Sequence, residues 1–277
     1  MHKRMRALMA GVLLAVASTG VAYAADPTAP PTPVSQTTGG SLVGIHPGTD
    51  GKTPEQLGYT QAYADSKTQA LYAQAPTGLG PLAVSGSLSG YPQYHQKTTH
   101  WCLAAVLQSV LKYKFSNGWI VPSITAKQQT IDGLIIGSDG TEWESNALPW
   151  VNGEFASHNS SFRWITEYPT SWSQMALLVE GDVSTYGFPT YVGVDVGSPY
   201  YVWHQNNHVH HATAAVGYSS SGAVAQIADP YTSPTWGPAY CNTGVSNPTW
   251  SATPDYGCIY SAWDMSKYYS AASTWWY

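Results

Sequence analysis

Between residues 103 and 111 the large apolar side chains fall at Leu103, Val106, Leu107, Val110 and Leu111, the spacing of a helix with a single buried face. The pattern fades near Lys114, and Thr98 or Thr99 can cap its start. A helix with one apolar face is stable only against a second layer. Looser helical patterns follow over residues 126–135 and 172–180, the latter stopped by Gly181-Asp182, and then the period changes. Residues 190–196, 208–218 and 223–228 are rich in β-branched and aromatic side chains, and Ser219-Ser220-Ser221-Gly222 supplies a hairpin loop. Helices first and antiparallel strands after predict an α+β domain.

The chain starts with Met1-His2-Lys3-Arg4-Met5-Arg6, continues through an apolar stretch to about Val21, and then reads Ala22-Tyr23-Ala24. A basic start, a short apolar middle and a small-x-small exit are the parts of a secretory signal peptide, so residues 1–24 are expected to be removed and the protein secreted. No later stretch approaches the ~20 apolar residues that a membrane span needs, and no membrane partner is expected. Residues 25–40 are rich in Pro, Thr and Gly and read as a flexible tether. Tyr59, Ala62, Tyr63, Ala70 and Leu71 recur at loosely helical spacing within residues 53–75. That helix belongs either to a propeptide or to an N-terminal extension, which sets residues 25–80 apart from one domain over 81–277.

Loss of the signal peptide moves the formal charge from −5 to −8, because it carries three of the Lys and Arg and no acid. An acidic surface with 10% charged residues argues against nucleic acid and anionic lipid as partners. Twelve Trp and twenty Tyr would suit a sugar-stacking surface, but aromatics at this abundance mostly fill cores.

Three cysteines in an oxidising compartment leave one over. Cys241 and Cys258 flank a Gly/Pro/Asn-rich stretch and are the expected disulfide, worth about 3 kcal/mol. Cys102 is then the free thiol, in the first turn of the clearest helix, where backbone N–H groups and the helix dipole are expected to lower its pKa. A free Cys is ordinarily a small buried core residue, but an unpaired thiol is a liability outside the cell and calls for a use. A thiol nucleophile needs a base, and four histidines cluster at His204, His208, His210 and His211. Strand alternation puts His210 and His211 on opposite faces, so one of them can face the helix that bears Cys102. Asp229 is the candidate to orient that base: an odd hairpin loop such as residues 219–221 places it directly across from His211, and an even loop turns it away. The backbone N–H of Cys102 and the amide of Gln96, six residues upstream, are candidate donors to an oxyanion.

Gln96-Lys97-Thr98-Thr99-His100-Trp101-Cys102-Leu103-Ala104-Ala105 resembles the Gln-x5-Cys-x-x-Ala segment of the bacteriocin-leader-peptidase-like (double-glycine peptidase-like) branch of papain-fold cysteine peptidases. His211-Ala212-Thr213-Ala214-Ala215-Val216-Gly217-Tyr218, then Ala228-Asp229-Pro230, is similar to that family's His-strand-Gly-Tyr and strand-Asp-Pro pattern, and Gly187-Phe188-Pro189 to its Gly-x-Pro strand. Leu103-Ala104 stand where family members often have Gly-Pro, and His210 stands where Gly is common. The resemblance implies a papain-like fold, with a central Cys-bearing helix on an antiparallel His-bearing sheet. It also implies a Cys102–His211–Asp229 triad with Gln96 as oxyanion donor. A monomer that acts on peptide or protein, cell-wall-associated substrates among them, with no cofactor and no metal, is expected.

Three other readings compete. His204-x3-His208-x-His210-His211 has the look of a zinc cluster, although strand geometry gives at most two ligands per face. A binding module would keep the fold without the chemistry. An acyltransferase of transglutaminase type would pass the same acyl-enzyme to an amine.

Overall fold

The computed structural model describes residues 44–74, 85–98, 100–115, 124–201, 208–219, 222–231 and 258–277. The expected signal peptide and tether lie outside these residues, as do His204, Thr99, the expected hairpin residues Ser220 and Ser221, Cys241 and the side chain of Cys258. The expected disulfide therefore falls outside them too.

The protein is a mixed α+β structure. In chain order it has helix α1 (Gln61–Gln74), strand β1 (Ser85–Ser87), four helices α2 (Cys102–Lys114), α3 (Ile124–Ile135), α4 (Glu144–Ser157) and α5 (Trp172–Glu180), and then strands β2 (Thr190–Asp195), β3 (His210–Ser219), β4 (Val224–Asp229) and β5 (Cys258–Asp264). Helix α6 (Met265–Ala271) and strand β6 (Ala272–Trp276) close the chain. The sheet is antiparallel in the order β5-β4-β3-β2-β6, and β1 pairs the end of β3 beyond β2. No helix among the described residues is long and apolar enough to cross a membrane.

Helix α2 packs on β3 with Leu103, Val106, Leu107 and Val110 fully buried, but α3 and α4 cover it too. All of Cys102–Leu111 is buried, Gln108 and Ser109 included, so the helix is enclosed on every side and not on the one face that its pattern predicts. It starts at Cys102, later than the threonines predicted to cap it. The first turn takes its cap from elsewhere: the Glu142 carboxylate accepts from the N–H groups of Leu103 (2.9 Å) and Ala104 (3.1 Å). Helix α5 has the predicted bounds, but Gly181-Asp182 does not stop it cleanly, because the chain continues in a wide π-type turn over Gly181–Tyr186.

Residues 44–74 share the core of the rest of the molecule. Ile45, Leu57, Tyr59 and Leu71 are buried in the common cluster, and Lys67 forms a buried ion pair with Asp182 at 3.2 Å. The boundary expected near residue 81 thus separates no packed body from an unpacked one. Helix α1 lies against the domain, as either a propeptide or an N-terminal extension would.

Candidate active site

Strand β3 turns His211 and His210 to opposite faces of the sheet. His211 is buried, while His210 is part-buried and its Nδ1 lies 3.0 Å from the Ser273 hydroxyl. The backbone N–H of Ala212, the next residue, donates to the Cys102 sulfur, so the thiol rests against the strand one residue from the imidazole.

Asp229 reaches this face by a route that the sequence does not announce. Ser219 pairs with Val224, which leaves a loop of four residues, and with that even loop alone Asp229 would point away from His211. The register shifts by one between Ala215 and Gly217, where Val216 is the extra residue on β3. Beyond this bulge Ala214 pairs with Ala228, so Asp229 sits diagonally from His211 on the same face, not directly across as expected. Gly217 follows the bulge because a Cβ there would lie 2.3 Å from Gln226 Oε1 and 2.7 Å from the Gly86 carbonyl oxygen.

Asp229 Oδ1 lies 2.9 Å from His211 Nε2 and accepts from the Tyr231 N–H at 2.6 Å. Its second oxygen accepts a short hydrogen bond from the Tyr201 hydroxyl. The rings of Tyr201 and Tyr231 stand edge-on to the imidazole. With Nε2 committed to Asp229, the other ring nitrogen, Nδ1, is buried with no hydrogen-bond partner among the described residues. A buried nitrogen without a partner is a group held for another use.

Gln96 is buried, donates from Nε2 to the Thr98 carbonyl at 2.8 Å, and leaves Oε1 without a partner among the described residues. Its NH₂ group has a second donor to spend. Its backbone N–H is tied to the Pro230 carbonyl (2.9 Å), next to Asp229.

The electrostatics of the thiol run against the sequence expectation. Burial pushes Cys102 well above its ordinary value, and the charges of Glu142 and Asp229 add to the rise against the N–H groups of Ala212 and Leu103. The helix mouth does not offset this rise, and its Leu103 and Ala104 N–H groups also donate to Glu142. Cys102, His211, Asp229 and Glu142 are each no more than 1% exposed, so the constellation is closed to solvent.

The three described histidines of the suspected metal cluster go to different partners. His208 pairs with Asp195 (2.8 Å), His210 with Ser273, and His211 with Asp229. No group of three or more ligands gathers among the described residues. Sequence reasoning missed Glu142, Tyr201 and Tyr231. Glu142 lies forty residues from the helix it caps, in a loop without a motif, and the tyrosines are two among twenty.

Compared with known proteins, the chain matches no protein-family model and no curated sequence.

Proposed function

We propose that this protein is a secreted cysteine peptidase of papain-like fold that hydrolyses peptide bonds through Cys102, His211 and Asp229. The observation that carries the reading is the buried imidazole bonded through Nε2 to Asp229 at 2.9 Å, with Nδ1 unpartnered, on the strand whose next N–H touches the Cys102 sulfur.

The chemistry follows from these positions. Because burial holds the thiol protonated, the nucleophile is made on demand: His211 Nδ1 takes the proton as the sulfur attacks the carbonyl carbon. The electron pair displaced onto the carbonyl oxygen is met by the Cys102 N–H and the spare donor of Gln96. The imidazolium, oriented by Asp229, returns its proton to the leaving amine, and a thioester remains. Water then gives its proton to His211 and attacks the thioester, which releases the acid and restores the thiol.

One observation favours a second reading, a binding module on the same fold: the sulfur is fully buried. The test that separates the two is hydrolysis of a peptide library by the wild type and by Cys102→Ala. Cleavage products lost in the variant support the peptidase. No cleavage by either, with a Cys102 that resists alkylation, favours the module.

A further inference from the structure

Glu142 is a buried carboxylate that no step of the proposed reaction uses. It sits in the connection between α3 and α4, anchored by backbone bonds on both sides of the site. The His46 N–H donates to the Glu142 carbonyl (2.8 Å), and the neighbouring Ile45 N–H donates to the His210 carbonyl (3.0 Å). Two residues of the N-terminal segment thus stitch the loop that carries Glu142 to the start of the strand that carries His211. The side chain then crosses to α2, where its two oxygens take the N–H groups of Leu103 and Ala104. The Leu103 N–H, bonded to Glu142, is also among the groups that lower the Cys102 thiol.

We propose that Glu142 is a positioning residue for the nucleophile, acting through the first turn of α2: its carboxylate draws off the donors that would otherwise stabilise an anion at the sulfur. This rests on the peptidase reading for its purpose, though not for its measurement. The groups whose charges act on Cys102 are Asp229 at the end of β4, Tyr191 on β2, Tyr201 and Glu142 itself, with His211 bonded to Asp229, while Glu142 faces Asp132 of α3. Burial also raises Glu142, and the two N–H donors oppose that rise. The charge of Asp132 adds to the rise, and the net effect holds the Glu142 carboxyl well above its ordinary value. A thiol so placed ionises only when its proton has somewhere to go, which makes the nucleophile dependent on His211 and protects a free cysteine from oxidants outside the cell.

The experiment is the pH dependence of iodoacetamide labelling of the full chain, with modification at Cys102 mapped by mass spectrometry. Glu142→Gln is expected to label about tenfold faster than wild type at a fixed pH below the midpoint, as its midpoint moves down by about one pH unit. Glu142→Asp keeps the charge but withdraws it by one methylene, and its midpoint should fall by less. If Glu142→Gln does not fold, Glu142→Asp carries the test. An unchanged midpoint in every variant that folds overturns the proposal. Peptide hydrolysis is followed in the same samples: a shifted midpoint without any hydrolysis by wild type would leave the positioning role standing and remove the peptidase. Hydrolysis with an unshifted midpoint would do the reverse.

Discussion

The hydrogen bonds of His211, Asp229, His210 and Gln96 set what substitutions do. Cys102→Ala and His211→Ala are expected to abolish hydrolysis, whereas His210→Ala should leave most of it, because His210 turns away to Ser273. Equal losses for the two histidines would place the base on the wrong face of β3. Gln96→Ala should slow turnover on the order of 10²–10³-fold, as other oxyanion donors do. Tyr201→Phe removes the hydroxyl that holds the second oxygen of Asp229, and kcat is expected to fall about tenfold with KM little changed, the lower range for a hydrogen bond to a charged group. The residues proposed as nucleophile, base and orienting acid can be picked out from the sequence, because a cysteine at a helix start and a histidine on a strand carry their chemistry in their type and place, and the structure pairs His211 with Asp229. The state of the thiol cannot. It depends on burial and on a carboxylate from a distant loop, and neither leaves a local signal.

At the scale of elements, strands β2, β3 and β4 and helices α1, α2, α3 and α5 were readable from period, whereas the short strand β1 and the C-terminal elements β5, α6 and β6 were not. Helix α4 was not, since Pro149 and a mixed face blur its pattern. The bulge at Val216 was equally hidden, yet it decides which way Asp229 points. Elements are also joined by buried groups whose titration can be followed. Glu144, at the start of α4, accepts from the Gly48 N–H (2.6 Å), the Tyr191 hydroxyl of β2 (2.7 Å) and the Thr274 hydroxyl of β6 (2.6 Å). Burial outweighs these donors and pushes its carboxyl from 4.5 up to about 6. The folded state therefore keeps a proton that the unfolded chain has released, and this contribution is full below about pH 4.5 and is lost as pH rises through about 6. Its size is about 2 kcal/mol. Chemical denaturation of Glu144→Gln across that window should show a flatter dependence of stability on pH than wild type. A parallel pair of curves would mean that Glu144 is ionised throughout.

Over the whole molecule, the N-terminal segment is part of the structure that builds the site. Lys67 of α1 is buried against Asp182, with its ammonium 4.0 Å from the centre of the Phe162 ring, and burial draws the pair toward neutrality, Lys67 down to about 8 and Asp182 up to about 7. Lys67→Ala strands an acid in the core and should cost about 3–5 kcal/mol by denaturant titration, while Lys67→Met with Asp182→Leu should recover most of it. The composition of residues 53–75 left propeptide and packed extension equally open, since tertiary partners such as Asp182 and Tyr277 come from the far end of the chain. The proposed chemistry turns on whether the buried sulfur reacts as an enzyme's. An electrophilic peptide probe that traps acyl-enzyme chemistry, applied to the full chain and mapped by mass spectrometry, is predicted to label Cys102 in the wild type and not in His211→Ala. Labelling that is absent from Cys102, or that survives the loss of His211 undiminished, would contradict it.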